Sequence, residues 1–333
     1  MVWVCAQAIL FTLARSAAAG ATVPAGFSET VIPGPSGRGW SEAVGVTFDA
    51  VGRMFVWERT GHIWMRGAGD TNFTEVLDIS PEVGDWGDYG LLGFALDPNF
   101  ISNGYMYLHY VVDRHHLLYY GTGSYNVNSN LYDNATIGRL TRYTCVASNN
   151  FQTAAPASRL VLIGDSKTNG IPILSNTHGV GSLVFGEDNT LLVSCGDGAS
   201  ANAVDLGGAV PASTAPQGLA DGIIRPKEDV GAYRSQLIDC LNGKILRIDP
   251  ATGDGLPSNP FFDAAQPKSA RSRVWALGLR NPFRITLRPE SGSHEPATCR
   301  ARSRSRRRLW SSSPMLCCWI PSACALPAPP TRA

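Results

Sequence analysis

The chain has 333 residues, 17% charged and 44% hydrophobic, with 35 glycines, 22 prolines and an aromatic content of 9%. That balance excludes a mainly helical protein, whose solvated faces need Lys and Glu, and favours many short strands and turns. The net charge of +1 divides into +6 on residues 293–333, from seven arginines against Glu295, and −5 on the rest, so the mildly acidic body argues against a nucleic-acid partner.

The first residues, Met1 to about Ala21, are apolar from Val2 to Leu13 and end in Ser16-Ala17-Ala18-Ala19-Gly20. A dozen apolar residues before a small-residue site describe a secretory signal peptide over 1–21 and are too short for a membrane span, although Arg15 follows the apolar run instead of preceding it. The expectation is a secreted, extracellular protein. Two sequons, Asn72-Phe73-Thr74 and Asn134-Ala135-Thr136, would then be glycan acceptors.

From Pro24 the chain reads as an antiparallel meander: strands over Phe27–Ile32, Ala43–Phe48, Arg53–Glu58, His62–Met65 and Thr74–Ile79, with turns of a few residues between them. The same pattern returns at Gly93–Pro98 into Tyr105–Val112, at Ser182–Phe185 into Leu191–Ser194, and at Phe283–Leu287. The first interval, Phe48 to Leu96, is one blade length, and the longer ones fit two blades or one blade with long loops, so the predicted fold is an all-β propeller. A β-sandwich is the alternative and would need no such recurrence. Long loops at Arg114–Leu131 and Ala199–Arg234 are expected to wall the mouth. Within the first, Leu117-Leu118-Tyr119-Tyr120 reads as a strand of its own blade, with a partner contact as the other reading.

Of the eight cysteines, only Cys145, Cys195 and Cys240 lie in the body, an odd number without metal-type spacing. One disulfide with a free thiol and three buried thiols are both open, and neither a zinc site nor a thiol nucleophile is indicated. Beyond Ser293 the alternation ends. Arg300–Arg308 interleaves Arg with Ala or Ser and Ser311–Ala333 has no apolar period, so residues 293–333 are expected to form no strand or core helix. The expectation is that the selected sequence breaks off near Gly292 through a frame or splice error, a basic binding tail being the rival.

The stretch Asn176–Gly198 carries the candidate chemistry. Two strands joined by the turn Gly186-Glu187-Asp188-Asn189 bring His178 and Asp197 to one edge of a hairpin, where a carboxylate orients an imidazole as general base. The alternative is two ordinary turn residues among glycines.

Four segments in order resemble the soluble quinoprotein glucose/sorbosone dehydrogenases, a secreted six-bladed propeller family that includes the propeller of hedgehog-interacting proteins. These are Gly90–Phe100, His178–Gly198, Leu241–Pro250 and Ala276-Leu277-Gly278-Leu279-Arg280-Asn281-Pro282-Phe283. The resemblance covers about Pro24 to Gly292 and implies about four of six blades. It implies His178 as base, Asp197 as its partner, and Arg280 and Asn281 on the quinone of pyrroloquinoline quinone (PQQ), with a small sugar as substrate oxidised at C1. A structural ion pair is the other reading of Arg280. Asp88 stands where the family often has Gln or Glu, an anion facing the cofactor's carboxylates, and Thr177 stands where some members have Asp or Asn. Calcium is expected in the family, but the later segments that would ligate it have no counterpart here, so no metal-ligating residue is assigned. Missing blades leave sheet edges exposed, so the chain as written is expected to be poorly soluble or partner-dependent. A second functional reading is a non-catalytic propeller binding a protein or glycan.

Overall fold

The computed structural model describes residues 23–287 and 299–301. Its described residues form two four-stranded antiparallel meanders, one five-stranded sheet and one two-stranded sheet. The first sheet is β1 (Ala43–Phe48), β2 (Met54–Glu58), β3 (His62–Arg66) and β4 (Thr74–Asp78). The second is β5 (Leu91–Leu96), β6 (Tyr105–Val111), β7 (Thr136–Thr144) and β8 (Leu160–Ile163), with β9 (Ile171–Ile173) also paired to β7. The third is β10 (Val180–Phe185), β11 (Leu191–Cys195), β12 (Lys244–Ile248) and β13 (Val274–Leu277). The fourth pairs β14 (Ile285–Leu287) with β15 (Cys299–Ala301).

Every recurrence of the sequence pattern opens one sheet, so the longer intervals are single sheets with long connections. First strands of neighbouring sheets lie side by side, β1 to β5 to β10 to β14. Close approach is set by glycine: a Cβ on Gly93 would sit 2.7 Å from the Gly181 carbonyl oxygen, and one on Gly181 would sit 2.8 Å from that of Pro282. β1, β5 and β10 share a pairing irregularity near their starts, at Ala43/Gly45, Leu91/Gly93 and Val180/Leu183. The N–H of Ile285 in β14 donates to Ser182 Oγ in β10 at 2.9 Å, tying one sheet to the next.

The core fills the gaps between sheets. Phe55 and Trp57 of the first sheet face Phe94 of the second, the Trp57–Phe94 rings stacking at 5.1 Å. Tyr107 meets Phe185 between the second and third, and Leu192, Ile245, Ala276 and Ile285 close the gap to the fourth. Val46 and Phe48 of β1, by contrast, are 55% and 57% exposed.

Three expectations are corrected. Residues 27–32 form no strand; Phe27 N–H instead closes a turn on the Pro24 carbonyl. Leu117 and its neighbours belong to a short helix, α1 (Arg114–Tyr119), because Asp113 caps it by accepting from the backbone N–H of His115 and His116. A second helix, α2 (Ala215–Ala220), and 3₁₀ turns structure the other long loop. Cys299–Ala301, expected to form no strand, pairs with Ile285–Leu287; strand pairing uses backbone groups and does not need an apolar period. The rest of the basic tail and the 1–21 leader lie outside the described residues. Cys145, Cys195 and Cys240 are all buried free thiols, which decides between the two cysteine readings. No described helix is long and apolar enough to cross a membrane.

His109, in the middle of β6, is fully buried, and neither ring nitrogen makes a hydrogen bond of normal geometry. Burial lowers its pKa to about 3, with slight opposing support from the Gly181 backbone. The unfolded chain therefore binds one more proton between pH 6.5 and 3, and stability falls as pH falls through that window, by about 2 kcal/mol from pH 6.5 to 5. Urea unfolding of His109→Leu at pH 7 and pH 5 should show a shallower acid loss than wild type; an equally steep loss would assign it to another group.

Candidate functional site

Three backbone segments are pinned together at the starts of the first strands. Before β10, residues 176–179 meet residues 196–198 after β11: Gly196 N–H donates to Gly179 O at 2.6 Å and Gly198 N–H to His178 O at 2.9 Å. The link from β13 to β14 joins them, since Asp197 N–H donates to the Arg280 carbonyl at 3.0 Å. Glycines make this possible, because a Cβ on Gly196 would sit 2.3 Å from His178 O and one on Gly179 would sit 2.6 Å from the Tyr89 ring. His178 itself has φ of 61°, a left-handed conformation that a non-glycine residue holds only when its surroundings impose it. Tyr89, fully buried, supplies part of that constraint by donating its hydroxyl to the carbonyls of Thr177, at 2.8 Å, and Ser175.

At the junction sits the carboxylate of Asp197, 1% exposed. Arg280 Nη1 donates to both its oxygens, at 2.7 and 2.6 Å, and Ala199 N–H to Oδ1 at 3.0 Å. His178 Nδ1 lies 3.1 Å from Oδ1. A carboxylate held by a guanidinium has no proton to give, so the neutral ring carries its hydrogen on Nδ1 and leaves Nε2 as a lone pair. Nε2 has no hydrogen-bond partner among the described residues, and the His178 side chain is 13% exposed. The arrangement can accept a proton at Nε2 and stabilise the resulting imidazolium.

The structure thus brings the sequence-derived candidates His178, Asp197 and Arg280 into one contact set. Sequence reasoning leaves the orientation of Arg280 open, and the structure turns the guanidinium onto Asp197 and, through Nη2, onto the Ser200 carbonyl at 2.8 Å. Its side chain remains 48% exposed. Asn281 follows in the chain, half-buried; Asp88 is exposed, and its backbone N–H reaches Asn176 O, beside the His178 segment.

Beneath Asp197 lies a support that the sequence reading does not find. Arg234, fully buried, donates to the carbonyls of Asp197, Gly198 and Glu228. Lys244, at the start of β12, gives its ammonium to Arg234 O, Ser235 O and Asn242 O at 3.1, 2.8 and 2.6 Å. Burial pushes its pKa down to about 8, so it remains charged at neutral pH. Asn242 bonds Pro172 O and Gly196 O through its amide. The signal that could have found them is the Leu241-Asn242-Gly243-Lys244 stretch, where a lysine opens an apolar strand. A cavity of about 340 Å³ opens at the opposite ends of the first strands, lined by Phe48, Leu96, Asp97, Phe100 and Phe185, and takes no part in this site.

Asp197→Ala should release the ring and leave Arg280 without its carboxylate, costing about 1–3 kcal/mol in chemical unfolding. Nitrogen NMR of His178 should show an Nδ1-protonated ring in wild type at pH 8 and a mixture of tautomers in the variant.

Residues 40–294 match the family model described as glucose/sorbosone dehydrogenase. The chain is 25% identical over 282 residues to the HIPL1 protein of Arabidopsis thaliana, covering 72% of this chain and 35% of that protein, and HIPL2 of the same plant gives 24% over 279 residues. This chain therefore spans about a third of the length of these curated relatives. Among solved structures, an oxidoreductase from Thermus thermophilus assigned as a glucose dehydrogenase superposes with a TM-score of 0.50 at 23% identity, over 76% of this chain and 56% of that one. A PQQ-bound aldose sugar dehydrogenase from Streptomyces coelicolor gives a TM-score of 0.48 at 21% identity, over 78% and 55%.

Proposed function

The chain belongs to the glucose/sorbosone dehydrogenase family, and from that premise we propose that it forms a sector of a secreted six-bladed propeller that oxidises a sugar at C1 with PQQ, using His178 as base. The observation that carries this reading is the single contact set joining His178, Asp197 and Arg280, with the imidazole Nε2 left free. Arg280 and Asn281 would hold the cofactor. The fit is supported by a half-exposed guanidinium whose Nε has no partner among the described residues, beside a base of suitable chemistry.

When bound, PQQ accepts the hydride leaving the sugar C1. His178 takes the proton of the C1 hydroxyl at Nε2 as the C1–O double bond forms. Asp197, both of whose oxygens accept from Arg280, stabilises the imidazolium through Nδ1–H. Arg234 and Lys244 keep the backbone under Asp197 fixed, so the base is oriented before substrate arrives. No residue of this chain is assigned to calcium. Asn72 is exposed, as a glycan acceptor requires, whereas the Asn134 side chain is engaged with Tyr132 O and Gln217.

One observation favours the second reading, a non-catalytic binding module: the Arg280 Nη groups are already spent on Asp197 and Ser200. Titrating the chain with PQQ and following aldose-dependent dye reduction separates the two. The dehydrogenase reading expects saturable PQQ uptake and turnover, with His178→Gln cutting kcat by about 10²- to 10⁴-fold while uptake persists. Arg280→Ala should weaken uptake, and Asp88→Asn should strengthen it several-fold by removing an anion. Absence of saturable uptake by wild type, with the His178–Asp197 contact intact by NMR, would favour the binding module.

A further inference from the structure

We propose that His62, Glu75 and Asp78 form a binding site for a divalent transition-metal ion on the first sheet. It depends on nothing in the dehydrogenase reading. One donor atom from each of the three residues lies within 4.8 Å of the others. His62 Nδ1 is 2.7 Å from Glu75 Oε1 and 3.6 Å from Asp78 Oδ1, separations that an ion with ligand bonds of about 2.1 Å can bridge with small side-chain shifts.

The convergence is a product of backbone irregularity. Along a regular strand, residues 75 and 78 are an odd number apart and would face opposite sides. In the β3–β4 ladder, Ile63 pairs with Leu77 but Trp64 pairs with Glu75, so Val76 is bulged out of register. Val76 and Leu77 both turn into the core, while Glu75 and Asp78 both emerge beside His62, the direct partner of Asp78. Re-aiming a side chain is what a bulge does locally.

Mixed donors and charge favour an ion of the zinc, cobalt or nickel type. An imidazole nitrogen with two carboxylate oxygens suits these borderline ions better than calcium or magnesium. With His62 neutral, the three groups carry two negative charges. The Arg38 guanidinium lies over the Trp64 ring and is committed to Glu58 at 2.7 Å. Trp64 also stacks with the His62 ring at 6.0 Å and 24°, which fixes its plane. Asp78 Oδ1 is oriented by Ser80 N–H at 2.8 Å. Metal at Nδ1 displaces the proton to Nε2, and the 27–43% exposure of the side chains leaves remaining coordination positions to water. The ion would clasp the edge strand β4 to β3.

The test is titration of the chelator-stripped full chain with zinc chloride by calorimetry and with cobalt chloride by visible absorption. One ion per chain should bind, with a cobalt d–d band and a rise in Tm on adding zinc. His62→Gln and the double variant Glu75→Gln/Asp78→Asn should each weaken this binding at least tenfold. Failure to saturate by about 1 mM, or affinity unchanged in both variants, would overturn the site. A loss of stability in His62→Gln that is the same with and without zinc would assign the three residues to an ion pair alone and overturn it equally.

Discussion

The two-pronged grip of Arg280 on the buried carboxylate of Asp197 is the interaction on which the candidate site depends. It joins the sheet that supplies the base to the segment entering the next sheet, and it gives both oxygens of an almost fully buried carboxylate a cationic partner. An ionised Asp197 dictates the tautomer of His178 and so decides which nitrogen is free. A neutral acid there would give the imidazole no reason to prefer one orientation. The pair is half-open to solvent on the guanidinium side, so its value lies in orientation more than in stability.

That grip is set within a framework of carbonyl groups bound by buried cations. Arg234 and Lys244 together satisfy six backbone carbonyls beneath the site without a carboxylate in direct contact. Burying two charges costs desolvation, and these carbonyl bonds offset it by replacing the water each cation gave up. The outcome is a rigid floor under a base that itself occupies a left-handed backbone conformation. Strain of that kind persists only where neighbours over-determine it, and Tyr89, Gly179 and Gly196 are those neighbours.

The sheets are held together by apolar packing in the gaps between them and by close approach where glycine leaves no side chain. Stacked Trp57 and Phe94, then Tyr107 against Phe185, fill successive gaps, while Gly93 and Gly181 let the first strands approach. The outward face of β1 carries exposed Val46 and Phe48.

Local pattern was enough for the strands and for the meeting of His178 with Asp197, because strand alternation and a four-residue turn are short-range properties of the chain. It was also enough to bring Arg280 into consideration, though only through the company of Leu277, Gly278 and Pro282. It failed where the determining contact is distant in sequence. Residues 27–32 alternate but form no strand, Leu117–Tyr119 are drawn into a helix by the cap at Asp113, and Cys299–Ala301 pair through backbone groups that carry no hydrophobic signature. Tertiary structure alone decided that the guanidinium of residue 280 turns to Asp197, that Lys244 and Arg234 lie beneath it, and that a bulge at Val76 aligns Glu75 with Asp78. Each of those depends on which groups a side chain finds when the sheets pack, and that information is not contained in any one stretch of the chain.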